Sequence, residues 1–223
     1  MAGMLARTAL LAAIAGLASA HGAGAQTYPD HPVKLVVGFA PGSAADVAAR
    51  IFGEGLALVL KQPIVIENKA GAASNIAAVS VAKAPGDGYT LFLGNIANVI
   101  NVTLKKGASL DLRHSMTAVA LVCTLPNILV VNPTMKATTV AELIATAKSK
   151  PGQVSFGSSG YGTAPHLSGE LFKSMAGVDM VHVAYNGSAQ AMQDLIGGRL
   201  QVLFSPASTA LGQIEAGTVR ALG

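Results

Sequence analysis

Tryptophan is absent from this 223-residue chain, cysteine occurs once, and charged residues make up only 12% of it. The single thiol, Cys123, excludes an internal disulfide, and its apolar neighbours Leu121 and Val122 predict a buried strand there. The 11 Asp and Glu are dispersed, so no carboxylate pair stands at a spacing suited to general acid/base work. Lysines and arginines stand singly apart from Lys105 and Lys106, and the formal net charge of +4 builds no basic patch interleaved with aromatics. That excludes a nucleic-acid partner. No apolar run is long enough to cross a bilayer. Glycine turns are present, but none carries the Gly-Lys-Ser/Thr of a Walker loop or the full Gly-x-Gly-x-x-Gly of a dinucleotide site. Ser158 and Ser159 do not sit in a Gly-x-Ser-x-Gly elbow, because Tyr161 occupies the final position.

What remains is a chain that is 51% hydrophobic and rich in Ala and Gly, long enough for one large domain or two small ones. Its first 25 residues read as a secretory signal: Arg7 supplies the basic end, 9–18 the apolar core, and small residues follow. Cleavage falls after Ala20 or after Ala25, the second being preferred, which predicts a soluble, exported protein.

The chain is organised around 34–46, KLVVGFAPGSAAD. A β-branched apolar run ends at Pro41 and Gly42, and Ser43 opens an alanine-rich helical pattern. Strand, small-residue turn and helix start in that order present unpaired backbone N–H groups and the positive end of a helix dipole, which suits an anion. Ser43 as a plain N-cap and Gly42 as a plain turn residue is the competing reading. The stretch 154–166, VSFGSSGYGTAPH, repeats the design with more glycines and hydroxyls. His166 and Glu170 share a helix face, but no third metal ligand is evident, so a packed or capping histidine is expected, and His182 belongs to a strand elsewhere.

Around these turns the pattern predicts strands at 33–39, 64–68 and 89–94, with helices at 43–60 and up to 83 between them. Further strands are expected at 117–123, 127–132, 153–158, 180–185 and 200–204. Helices fall at about 139–149 (a Thr139/Glu142 capping box), 164–175, 188–196 and 207–216, with a last strand starting near the end. Two βαβ sets imply parallel strands in two α/β lobes facing across a cleft. The chain stops inside an apparent strand, as a fragment would.

The ordered motifs YPDHPVKLVVGFAPGSAADVAAR, IENKAGA, DGYTLFLG, AELIATAKSKPG, SSGYGTAPHLSGELF, HVAYNG, DLIGGRLQ and IEAGTVRALG resemble the substrate-binding proteins of tripartite tricarboxylate transporters, the Bug receptors. The resemblance spans Tyr28 to Gly223. It implies an α/β, two-lobed, periplasmic-binding-protein-like (type II) fold with a hinge, here truncated at its C-terminal end. The domains would be a signal peptide (1–25), lobe 1 without its return segment (26–124), and lobe 2 with the start of that return (125–223).

The implied function is capture of a small organic carboxylate in the periplasm and its delivery to a two-component membrane permease. It involves no chemistry, cofactor or metal, and the receptor is a monomer. By resemblance Phe39, Gly42, Ser43 and Asp46 line the cleft from the first turn, and Ser158, Ser159, Gly160, Thr163 and His166 from the second. Asn95, Tyr185 and Ser205 are weaker carry-overs. Gly42-Ser43 replaces the family's usual Gly-Gly, and Ser205 stands where an Asp is frequent, which predicts that amino-acid ligands are disfavoured. Rival readings are a secreted hydrolase using Ser159 or Ser158 with His166, and an exported ligand sensor for a signalling partner.

Overall fold

The structure, a computed structural model, describes residues 27–104 and 110–223. The expected signal peptide and the Lys105-Lys106 pair lie outside the described residues.

Strand β1 (Val33–Val37) feeds the turn that precedes helix α1 (Ala44–Leu60), and β2 (Ile64–Asn68) follows. A short 3-10 turn (Ala72–Ser74) leads into α2 (Asn75–Ala82), then β3 (Thr90–Leu93), α3 (Ile96–Leu104) and the single-turn α4 (Leu112–Ser115). The strands form a parallel sheet in the order β2-β1-β3. β1 is central, and four of its five residues are buried, as its β-branched run predicts. β3 is only half-buried, because it has a strand neighbour on one side alone among the described residues. α1 lays its small residues Ala49 and Gly53 on this sheet, with Gly53 close to Ile64 and Ile66.

The second sheet takes β4 (Asn127–Val131), β5 (Ser155–Ser158), β6 (Val181–Ala184), β7 (Val202–Pro206) and β8 (Arg220–Ala221) in the order β6-β5-β7-β4-β8. β5, β6 and β7 run parallel, whereas β4 is antiparallel to both β7 and β8. Alternation along the strands feeds two cores. Leu129, Val131, Phe156, Val202 and Phe204 pack with Leu143 of α5 (Val140–Ser149). Val130, Leu203 and Leu200 pack on the other face with Leu195 of α7 (Ser188–Ile196) and Ala210 of α8 (Ala207–Glu215). Helix α6 (Ala164–Ala176) covers β5 and β7 on the first face, so closely that a Cβ on Gly169 would lie 2.1 Å from the Phe156 ring.

One expected strand is absent. Residues 117–123 form no ladder, and Val119 and Leu121 are 84% and 81% exposed. Cys123 is likewise exposed, not buried. Apolar letters can fill a strand only where a neighbouring strand pairs with them, and among the described residues none does. The last strand, β8, pairs with β4 at the edge of the second sheet.

Candidate functional site

The turn after β1 is held by a buried carboxylate. Asp46 accepts hydrogen bonds from Gly42 N at 2.9 Å, Asn68 Nδ2 at 2.9 Å, and Arg50 Nε and Nη2 at 2.9 and 3.0 Å. Burial pushes its pKa up, but those partners outweigh it and hold the group below the usual carboxylate range. Ser43 caps α1, its Oγ accepting from Asp46 N, and is buried. Both residues therefore shape the turn and neither forms the wall of a cavity.

The loop after β5 is tied as densely. Ser158 is fully buried; its Oγ lies 2.6 Å from His182 Nε2 and accepts from Gly160 N at 3.1 Å. Thr163 Oγ1 donates to Gly160 O at 2.7 Å, and Gly162 N donates to His166 Nδ1 at 3.2 Å. Gly160 takes φ +123°, a conformation glycine alone adopts without strain.

Turns from the two sheets meet. Ala40 N donates to Asn186 O at 3.3 Å, Ala44 N donates to Ser188 Oγ at 3.2 Å, and the Asn101 side chain abuts Gly162. Between them lies a cavity of about 150 Å³. Gly38 and Phe39 wall it after β1, Gly71–Ala73 after β2, Ser159–Tyr161 after β5, and Ala184–Asn186 at the end of β6. All four are carboxyl ends of parallel strands, where open α/β sheets bind ligands. Gly38 must stay bare, since a Cβ there would fall 1.8 Å from Ser74 Oγ.

Of the residues singled out from sequence, Phe39, Ser159, Gly160 and Tyr185 line this cavity. Gly42, Ser43, Asp46, Ser158, Thr163 and His166 stand behind those walls as turn-holding groups. Asn95 accepts from Ala97 N and so caps α3, while Ser205 is buried in β7 with its hydroxyl on Pro206 O. Neither lines the cavity. The Tyr185 hydroxyl donates to Asp194 at 2.8 Å; burial and that acceptor push its pKa up to about 12, so it remains a phenol.

Residues 71–74 also wall the cavity through an unusual turn, at Gly71, Ala72 and Ala73. Ala72, Ala73 and Ser74 all have positive φ (49°, 52° and 75°), an uncommon run for residues with a Cβ. Such turns gather successive backbone N–H groups into an anion-binding concavity. Only the density of small residues in KAGAASN hinted at it.

The hydrolase constellation does not form around Ser158, and no hydrogen bond joins Ser159 to His166 among the described residues. Ser158 meets His182 and not His166, it has no solvent access, and no carboxylate partners His182 Nδ1, which is buried without a hydrogen bond. No group of three or more His, Cys, Asp or Glu among the described residues is arranged to hold a metal. No helix among them is long and apolar enough to cross a membrane.

Two α/β sheets with a small cavity between the carboxyl ends of their strands define the class of two-lobed solute-binding proteins. Residues 48–223 match the Tripartite tricarboxylate transporter family receptor, and the chain belongs to that family. It is 35% identical to Protein BugT of Bordetella pertussis over 224 residues, covering 100% of this chain and 68% of that one. Among solved structures it resembles R. palustris Rpa4515 with adipate (36% identity, TM-score 0.85, 88% of this chain and 66% of that one). It also resembles MatC of Rhodopseudomonas palustris with bound malate (29% identity, TM-score 0.82, 87% and 66%). The chain thus spans about two thirds of the length of these relatives. The family is one of receptors, not enzymes.

Proposed function

We propose that this chain is an exported, periplasmic receptor that captures a small organic dicarboxylate between its two lobes and presents it to the membrane subunits of a tripartite transporter. The lobes are 26–124 and 125–223, and closure of one on the other would signal occupancy. The observation that carries the reading is the cavity's wall. Among the described residues it contains no Lys or Arg, so an anion must be held by backbone N–H groups and hydroxyls. The 71–74 turn and the 159–161 loop supply both, and no hydrogen bond engages the Ser159 hydroxyl among the described residues. The wall also lacks Asp and Glu, which leaves an ammonium unpartnered and disfavours amino acids. That argument rests on the lining and not on Ser205. The adipate and malate held by the two relatives fit the same chemistry.

Isothermal titration calorimetry with adipate, malate and aspartate tests the reading. The expected outcome is binding of at least one of the first two, with aspartate weaker by about tenfold or more. Binding of aspartate alone would overturn it.

A further inference from the structure

Behind the cavity-facing loop lie two histidines that do not line the cavity. His182 of β6 and His166 of α6 have ring centroids 4.3 Å apart, with Tyr161 4.8 Å and Phe156 4.9 Å from His182. Each imidazole holds one end of the loop. His182 Nε2 meets Ser158 Oγ at 2.6 Å, and His166 Nδ1 accepts the Gly162 N–H at 3.2 Å.

Proton accounting fixes the tautomers. His166 accepts at Nδ1, so its proton is on Nε2. Ser158 Oγ already accepts from Gly160 N and has Gly160 O at 3.1 Å to receive its own proton. A proton on His182 Nε2 completes that set: Oγ then accepts two hydrogen bonds and donates one. The other tautomer would bury an N–H at Nδ1, which has no partner, and an orphaned buried donor costs more than an idle lone pair.

A second proton on His166 sets an N–H against the Gly162 N–H and breaks that contact. One on His182 leaves the Nε2–H on Ser158 Oγ but buries a charged N–H at Nδ1, which has no partner, so the packed loop loses stability. We propose that His166 and His182 form a paired brace, both neutral with the proton on Nε2, that holds 158–163 in its ligand-binding shape, and that loading the pair with a proton releases the loop. The step from loop to ligand rests on the carboxylate-receptor reading above.

The charged and titratable groups facing the pair come from α6 and the loop. Glu170 favours protonation, Lys173 opposes it, and charge on His166 opposes charge on His182. Lys173 and Glu170 pair at 3.2 Å and largely offset one another. Tyr161 contributes a neutral ring, and β5 contributes only Phe156 and Ser158. Burial is the first cause for both histidines: it lowers His166, and with the His166 charge it brings His182 down to about 4.

The test uses the whole chain. Without ligand, imidazole nitrogen and Gly160 and Gly162 amide NMR signals are followed from about pH 8 to about pH 4. Both rings should be Nε2–H at neutral pH, and both amides should move with the imidazole transition in acid. A resting Nδ1–H tautomer on either ring, or amides that ignore the transition, overturns the brace. Calorimetry with adipate and malate should then show affinity falling in the same acid window. His182→Leu should lose about tenfold in affinity at neutral pH, and His182→Gln, whose amide N–H can donate without titrating, should recover most of it with a flattened pH profile. Equal loss in both variants, or an unchanged profile in His182→Gln, refutes the proposal. If the native chain binds neither acid while the amides track the imidazoles, the dicarboxylate reading fails and the brace stands.

Discussion

At the residue scale, the cavity depends on side chains that do not touch it. Asp46 gathers Gly42, Arg50 and Asn68 around one buried carboxylate. Asp46→Ala should cost about 1–3 kcal/mol in a urea titration, because the part-buried Gly42 N–H and Asn68 amide lose their acceptor. Gly38→Ala drives a methyl into Ser74. A loss of about 1–3 kcal/mol, together with weakened dicarboxylate binding, is expected there, and a variant as stable as the parent would refute the close approach. The pH response follows from the same residues. His182 titrates lower in the fold than its ordinary 6.5, so the unfolded chain binds more protons between that value and about 4, and stability falls as pH drops through this range. Asp46, held below 3.8, adds a further loss only in stronger acid, as pH falls through its folded value. A urea midpoint that stays flat from about pH 7 to about pH 4 would contradict the His182 assignment.

At the element scale, helices announce themselves by their caps. Thr139 Oγ1 accepts from Glu142 N as the Thr139/Glu142 pattern predicts, although Glu142 reaches back to Thr138 rather than to Thr139. Thr139→Ala should therefore destabilise the fold by about 1 kcal/mol, read as a shift in the urea midpoint. Apolar, β-branched runs locate most strands to within one or two residues, because burial on both faces is written in the letters. Such a run misleads at 117–123, where TAVALVC has the composition of a buried strand but no partner strand beside it among the described residues. A sequence shows what a strand could bury and not what it pairs with. Cys123 on this segment should react with iodoacetamide in the native protein as fast as in urea, whereas protection would restore the buried strand.

At the scale of the whole molecule, two sheets place the ends of β1, β2, β5 and β6 around one small polar space. The two glycine-rich turns were legible as its framework, since strand, glycine and capped helix have a physical signature. The division between wall and support was not: Ser43, Asp46 and Ser158 carry suitable groups but spend them on the turns. The 71–74 turn was invisible for the opposite reason, because left-handed alanines follow from tertiary context and not from propensity. The central claim, that a dicarboxylate sits in this space on backbone N–H groups, is tested most directly by an amide chemical-shift map of the 223-residue chain titrated with adipate and malate. The largest changes are expected at Ala72, Ala73, Ser159, Gly160 and Tyr161. Saturable binding with its largest changes elsewhere, or no change with either acid, would contradict it.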